Sequence, residues 1–268
     1  MVLFPYHDGQ SFSGAAAAPV WTTYNGAQVP LYFRGQRNFL AAVDYLKGAL
    51  GMASAVEVAL TGNSAGGLAT FYHADALSAL LPGARVWAAP DSGLFMANVP
   101  GYPAWAAGLR AMVAMANASS TLNANCRAAV AGAGGDPATC AYPEVLAPYI
   151  RTPLFVVNGR YDPALTSIAG GESGKNASHV QEIGRLLLAN VQSRVLGAGS
   201  ASAAFVSACA QHCGQWAQGS DGDFNVTIGS LQAIPALMQW RDGRAPGKLW
   251  VQAPGDTFPC ADCCKGGQ

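Results

Sequence analysis

Val56-Glu57-Val58-Ala59-Leu60-Thr61-Gly62-Asn63-Ser64-Ala65-Gly66-Gly67 changes character part-way along its length. Residues 55–60 are apolar and β-branched, as a buried strand requires, and 66–81 form a helix-compatible run beginning with small residues. Between them only a tight turn fits. Gly62 and Gly66 lack side chains that would hold strand and helix apart, so Ser64 is forced into a strained conformation with its hydroxyl above the sheet edge. The helix N-terminus behind it favours negative charge developing there. This is the strand–turn–helix order of a nucleophile elbow. G-x-S-x-G is ambiguous alone, because 32 glycines in 268 residues make chance matches common. A Gly-rich turn that merely packs a helix on a strand would read the same way.

Composition narrows the field. With 51% hydrophobic and 11% charged residues, the chain can bury a full core, and it is expected to form one domain over residues 1–268. Zero formal net charge without any basic stripe argues against nucleic-acid binding. No apolar stretch approaches the roughly 18 residues of a membrane span. Residues 1–20 lack the basic start of a signal peptide, and His7-Asp8-Gly9 interrupts their apolar run. Cysteines occur at 126 and 140, then at 209, 213, 260, 263 and 264. N-x-S/T sequons begin at Asn117, Asn176 and Asn225. Clustered cysteines together with sequons favour an oxidising compartment, and the odd count leaves one thiol without an intrachain partner.

Further strands are expected at Met1–Tyr6, Leu31–Phe33, Arg85–Ala89, Pro153–Val157 and 202–208. The last of these would close the sheet. Phe39, Val43, Leu46 and Leu50 recur at helical spacing, ending at Gly51. A helix over 179–195 should open with a capping box, Ser178 with Gln181, and another helix lies near 228–240. Residues 100–150 are rich in Ala, Gly and Pro. They read as a partly helical insertion capping the sheet. Strands alternating with helices imply a mostly parallel sheet covered on both faces, a three-layer α/β fold.

A nucleophilic serine needs a base within reach and an acid to orient that base. Asp162 follows the apolar strand 153–157 through Asn158-Gly159, which puts its carboxylate at the C-terminal edge of the sheet; the competing role is an Asx turn before Pro163. Asp91 reads as a turn or structural carboxylate. Among the four histidines, His7 precedes Ser64, His73 lies well along the elbow helix, and His179 opens a helix. His212 alone follows in the order serine, acid, histidine, in a loop flanked by Cys209 and Cys213. A zinc knot built from Cys209, His212, Cys213, Cys260, Cys263 and Cys264 is the rival use of these residues.

The segments Asp8-Gly9-x-Ser11-Phe12-Ser13-Gly14, Phe33-Arg34-Gly35, Gly62-Asn63-Ser64-Ala65-Gly66-Gly67, Asp91-Ser92-Gly93-Leu94-Phe95, Pro153-Leu154-Phe155 with Asn158-x-x-Tyr161-Asp162, and Cys209-x-x-His212-Cys213 together resemble the pectin acetylesterase family. That family also includes the animal carboxylesterase Notum. The likeness runs in order along nearly the whole chain. It implies an α/β-hydrolase-like fold and a serine esterase with Ser64, Asp162 and His212 as the triad, Ala65 N–H as an oxyanion donor, and no metal or other cofactor. Its implied substrate is acetylated pectin in the cell wall, reached by secretion. A monomer is expected. Cys126 and Cys140 fall where the family has a cysteine pair, and at least one of Cys209 and Cys213 is expected to bridge to the 260–264 tail.

Departures qualify the likeness. Family members carry a Gly-Gly-x-Trp-Cys segment upstream whose N–H groups complete the oxyanion hole. A chain starting at Met1 without it is expected to turn over weakly. Plant-type members have cysteines where this chain has His7 and Asn63, which reads as one absent disulfide rather than a disabled site. The alternatives are a Notum-like protein O-deacylase and a non-catalytic secreted glycoprotein of the same fold.

Overall fold

A computed structural model describes residues 1–97, 99, 103–170, 176–214 and 226–252. The elements follow in order: strands β1 (Val20–Tyr24) and β2 (Ala27–Leu31), helix α1 (Gly35–Ala49), β3 (Glu57–Asn63), α2 (Ala65–Leu80) and β4 (Arg85–Asp91). Then come α3 (Pro103–Met115), α4 (Ala124–Gly132), α5 (Pro143–Leu146), β5 (Phe155–Gly159), α6 (Pro163–Gly170), α7 (Ala177–Asn190) and β6 (Ala203–Ser207). A short hairpin of β7 (Thr227–Ile228) and β8 (Leu231–Gln232), helix α8 (Ala233–Arg241) and β9 (Leu249–Val251) complete the set.

Strands β3, β4, β5, β6 and β9 lie in that order in one parallel sheet. Its central strands are apolar throughout because both faces are covered. Alternate side chains go to opposite faces. Ala88, Leu154, Val156, Ala204 and Val206 pack with Phe71 and Tyr72 of α2 and Leu187 of α7. Trp87, Ala89, Phe155, Val157 and Phe205 pack with Ala236 and Leu237 of α8. Phe155 and Phe205 are wholly buried, and each such side chain contributes about 1.5–3 kcal/mol by leaving water. All the parallel strands end on one edge, which therefore gathers residues 64, 91, 162 and 212.

Several expectations need correction. Met1–Tyr6 is not a buried strand: Met1, Val2 and Leu3 are exposed, and no described strand pairs with them. The segment is held by side chains instead, Phe4 on the Phe39 ring and Tyr6 on Phe12. The strand at 31–33 is the end of a hairpin, with β1 and β2 joined at Asn25-Gly26. Both turn residues have positive φ, 50° and 78°, as a two-residue hairpin turn demands. Phe33 leaves the hairpin to enter the core. The cap of α7 is Asn176, whose side chain accepts from Ser178 N at 3.0 Å, so the helix starts before the expected capping box. It continues to Val195 as a π-helical turn.

Residues 103–150 are largely helical, and Leu109, Val113, Leu122 and Leu146 join the same core as the sheet. The segment thus shares the main core with the sheet. Cys126 and Cys140 form a disulfide across it. Residue 208 does not end the sheet, because β9 pairs with β6 beyond it.

Candidate active site

Ser64 occupies φ 55°, ψ −119° between β3 and α2. A non-glycine residue at positive φ is strained and persists only where its surroundings over-determine it. Here they do. Ser64 N–H donates to the Asp91 carbonyl at 2.9 Å, and the Ser64 carbonyl accepts from Leu68 N–H at 2.9 Å. A Cβ on Gly62 would stand 2.5 Å from the Gly66 carbonyl oxygen, so no side chain fits where strand and helix cross. Ser64 is half-buried. Ala65 is the first residue of α2, so its N–H has no acceptor within the helix.

Asp162 is 2% exposed at the start of α6. Its Oδ1 accepts from Ala164 N–H at 2.8 Å, and its carbonyl from Thr166 N–H at 2.9 Å. The Asx-turn role is therefore real, with Pro163 supplying the fixed φ that suits a first helical position. The carboxylate also does more: His212 Nδ1 lies 2.9 Å from Oδ1 and 2.8 Å from Oδ2. The two turns are clamped together by their backbones. Arg160 N–H donates to the Ser207 carbonyl at 2.7 Å and Tyr161 N–H to the Cys209 carbonyl at 3.3 Å. A Cβ on Gly159 would come within 2.5 Å of the Gln211 carbonyl oxygen, which requires glycine there.

The bond to Asp162, and after it the Cys213 side chain, holds the His212 imidazole well above its ordinary 6.5, outweighing the opposite pull of burial. Phe95 meets the ring edge-on at 6.3 Å between centroids. The other histidines are elsewhere. His7 is exposed and His179 lies in the first turn of α7. His73 is buried, stacked on Phe39 at 4.2 Å with Nε2 2.8 Å from the Phe12 carbonyl, and burial pushes it down to about 4.

Of the cysteines, Cys209 is disulfide-bonded and Cys213 is free; Cys260, Cys263 and Cys264 lie outside the described residues. Among the described residues no cluster of His, Cys, Asp and Glu could hold a metal ion. The sequons at Asn117 and Asn176 are exposed, although Asn176 Oδ1 is engaged by Ser178; Asn225 lies outside the described residues.

Asp91 fits the structural role expected of it, whereas the role of Asp8 was not read in the sequence. Asp91 is wholly buried beside the elbow. Asp8, also buried, accepts from the N–H groups of Gln10, Phe12, Gly14 and Gly35, the last being the first residue of α1. That network holds Ser11 and Phe12 at positive φ. The signal was an aspartate followed by several small residues, which leave backbone donors open to one carboxylate.

A serine turn at the end of one parallel strand, and a hydrogen-bonded Asp–His pair at the ends of two others, can be compared with known proteins. The sequence profile described as Pectinacetylesterase matches residues 1–265. The chain belongs to the pectinacetylesterase family. Pectin acetylesterase 7 of Arabidopsis thaliana is 30% identical over 261 residues, covering 90% of this chain and 64% of that protein. Pectin acetylesterase 5 of the same plant is 37% identical over 165 residues, covering 60% of this chain and 36% of its own length. The chain thus spans less than two-thirds of these relatives. Among solved structures, the Wnt deacylase Notum from Drosophila matches with a TM-score of 0.75 at 22% identity, covering 94% of this chain and 72% of that chain. At that identity the likeness speaks for a shared α/β fold.

Proposed function

We propose that this chain carries a serine esterase site that removes O-acetyl groups from a cell-wall polysaccharide of the pectin class. In this reading Ser64 Oγ attacks the acetyl carbonyl while His212 Nε2 takes its proton. Asp162, bonded to Nδ1, holds the tautomer that leaves Nε2 free to accept, and it stabilises the imidazolium that results. The tetrahedral oxyanion meets the Ala65 N–H at the positive end of α2. His212 then gives the proton to the departing sugar oxygen, which leaves the acetyl group on Ser64. Water, deprotonated by His212, releases acetate and restores the serine.

The observation that carries this reading is the buried Asp162 carboxylate 2.8 Å from His212 Nδ1, at the same sheet edge as the strained Ser64 turn. A structural Asp–His pair has no need of a strained serine turn on that edge. Family membership supports ester hydrolysis, and the names of the Arabidopsis relatives supply the pectin substrate. The test is acetate release from acetylated pectin by the wild-type chain and by Ser64→Ala. The reading expects release by the first and background for the second. Equal release by both would remove Ser64 from the chemistry.

A further inference from the structure

Ser92, the residue after β4, forms a link that the serine–histidine–aspartate chemistry leaves unused. It is 2% exposed and has φ 52°, a conformation in which glycine would be unstrained. Its hydroxyl makes two bonds. It donates to Asp91 Oδ1 at 2.9 Å and accepts from the Cys213 N–H at 2.8 Å. Cys213 directly follows His212 and is itself at φ 66°. Both backbones joined by this bond are therefore held in strained conformations.

The same short turn reaches the nucleophile. The Asp91 carbonyl accepts from Ser64 N–H, and Ser92 N–H donates to the Val157 carbonyl of β5 at 2.8 Å. A Cβ on Gly93 would stand 2.4 Å from the Gly67 carbonyl carbon in the first turn of α2. Residues 91–93 are thus wedged between the helix that follows Ser64 and the loop that carries His212. One hydroxyl, on a backbone better suited to glycine, spans the gap.

Building on the esterase reading above, we infer that Ser92 is a positioning residue: through Cys213 N–H it sets the distance and angle of His212 relative to Ser64. The strain at residue 92 is tolerated because glycine, though easier on the backbone, has no hydroxyl with which to hold the base loop. Asp91 fixes the direction of that hydroxyl. With its hydrogen committed to the carboxylate, the oxygen lone pairs are left for Cys213.

Ser92→Gly separates this role from a structural one, because it relieves the positive φ while removing the bridge. In the full chain, kcat on a simple acetyl ester should fall roughly ten- to a hundredfold, the scale of misplacing a catalytic group by about an ångström. KM should stay within about twofold, since no substrate contact is lost. Ser92→Ala should lose kcat similarly. A readout independent of turnover is the downfield proton NMR signal of the His212 Nδ1–H bonded to Asp162. It should broaden or shift in Ser92→Gly as the loop loosens. Wild-type kcat together with an unchanged imidazole signal in Ser92→Gly would overturn the inference. Should Ser64→Ala keep its activity while Ser92→Gly still perturbs the imidazole signal, the esterase reading fails and the link to the His212 loop stands.

Discussion

Replacing Asp162 by asparagine separates two roles that one carboxylate now combines. Oδ1 caps α6 through Ala164 N–H at 2.8 Å, and both oxygens lie within 2.9 Å of His212 Nδ1. Asparagine can keep the cap only by putting its carbonyl oxygen in the Oδ1 place. Its amide nitrogen then sits where Oδ2 was, 2.8 Å from Nδ1. The amide N–H facing Nδ1 favours the tautomer in which Nδ1 accepts and the imidazole proton sits on Nε2. That is the tautomer unable to take a proton from Ser64. The expected loss is about 10⁴ in kcat, the scale for a wrong-tautomer histidine in such a triad. Because the cap survives, the asparagine variant loses stability only through its weaker hold on the protonated His212. Asp162→Ala loses the cap as well, costing about 1 kcal/mol, or roughly 2–4 °C in Tm for a chain of this size. Stopped-flow and steady-state hydrolysis of an acetyl ester, paired with thermal melts, give both numbers. The reasoning is refuted if Asp162→Asn retains kcat within tenfold of wild type, or if it melts as low as Asp162→Ala.

The raised proton affinity of His212 sets a pH dependence: the base must be neutral to act, so kcat/KM should rise with pH along a limb above 6.5, and Asp162→Asn should move any residual limb downward. The same shift stabilises the fold in a defined window. A histidine raised above its unfolded value contributes fully below about 6.5 and loses that contribution as pH climbs through its folded value, near 10; the wild-type advantage in Tm over Asp162→Asn should shrink between pH 6 and 10.5. Gly93→Ala puts a Cβ 2.4 Å from the Gly67 carbonyl carbon, backbone against backbone, and should lower stability by about 1–3 kcal/mol in urea unfolding while also reducing kcat; a variant as stable and active as wild type would show that the turn has room. Breaking the Cys126–Cys140 link, whose cysteines are 14 residues apart, by a double serine substitution should cost about 3 kcal/mol in the same assay and leave kcat within a few-fold, because the proposed chemistry uses neither cysteine.

The sheet was legible because its central strands are buried on both faces and appear as continuous apolar runs, Pro153–Val157 above all. The Ser64 turn was legible because few residue types allow strand and helix to approach so closely. Asp162 stood out as the carboxylate following the apolar strand 153–157, and His212 by its place after it in a loop flanked by Cys209 and Cys213; the structure adds their contact. What escaped was set by partners rather than by local pattern. Met1–Tyr6 has a strand's apolarity, yet no described strand offers it a ladder. Leu249-Trp250-Val251 is too short to declare itself, and it becomes a strand because β6 would otherwise be an edge. The hairpin at Asn25-Gly26 was there to be read, since that dipeptide between β-prone runs is a strong turn signal. The linking role of Ser92 could not be read at all. It depends on a hydrogen bond across 121 residues.

The most direct test of the central claim is covalent capture at the proposed nucleophile. The chain is treated with a fluorophosphonate ester, and the site of modification is located by peptide mass spectrometry. The account predicts a single adduct on Ser64, formed faster as pH rises through the His212 titration, slowed by orders of magnitude in His212→Ala and absent in Ser64→Ala. Modification of another residue at the wild-type rate in Ser64→Ala, or no adduct on Ser64 in a chain that still hydrolyses acetyl esters, would contradict it.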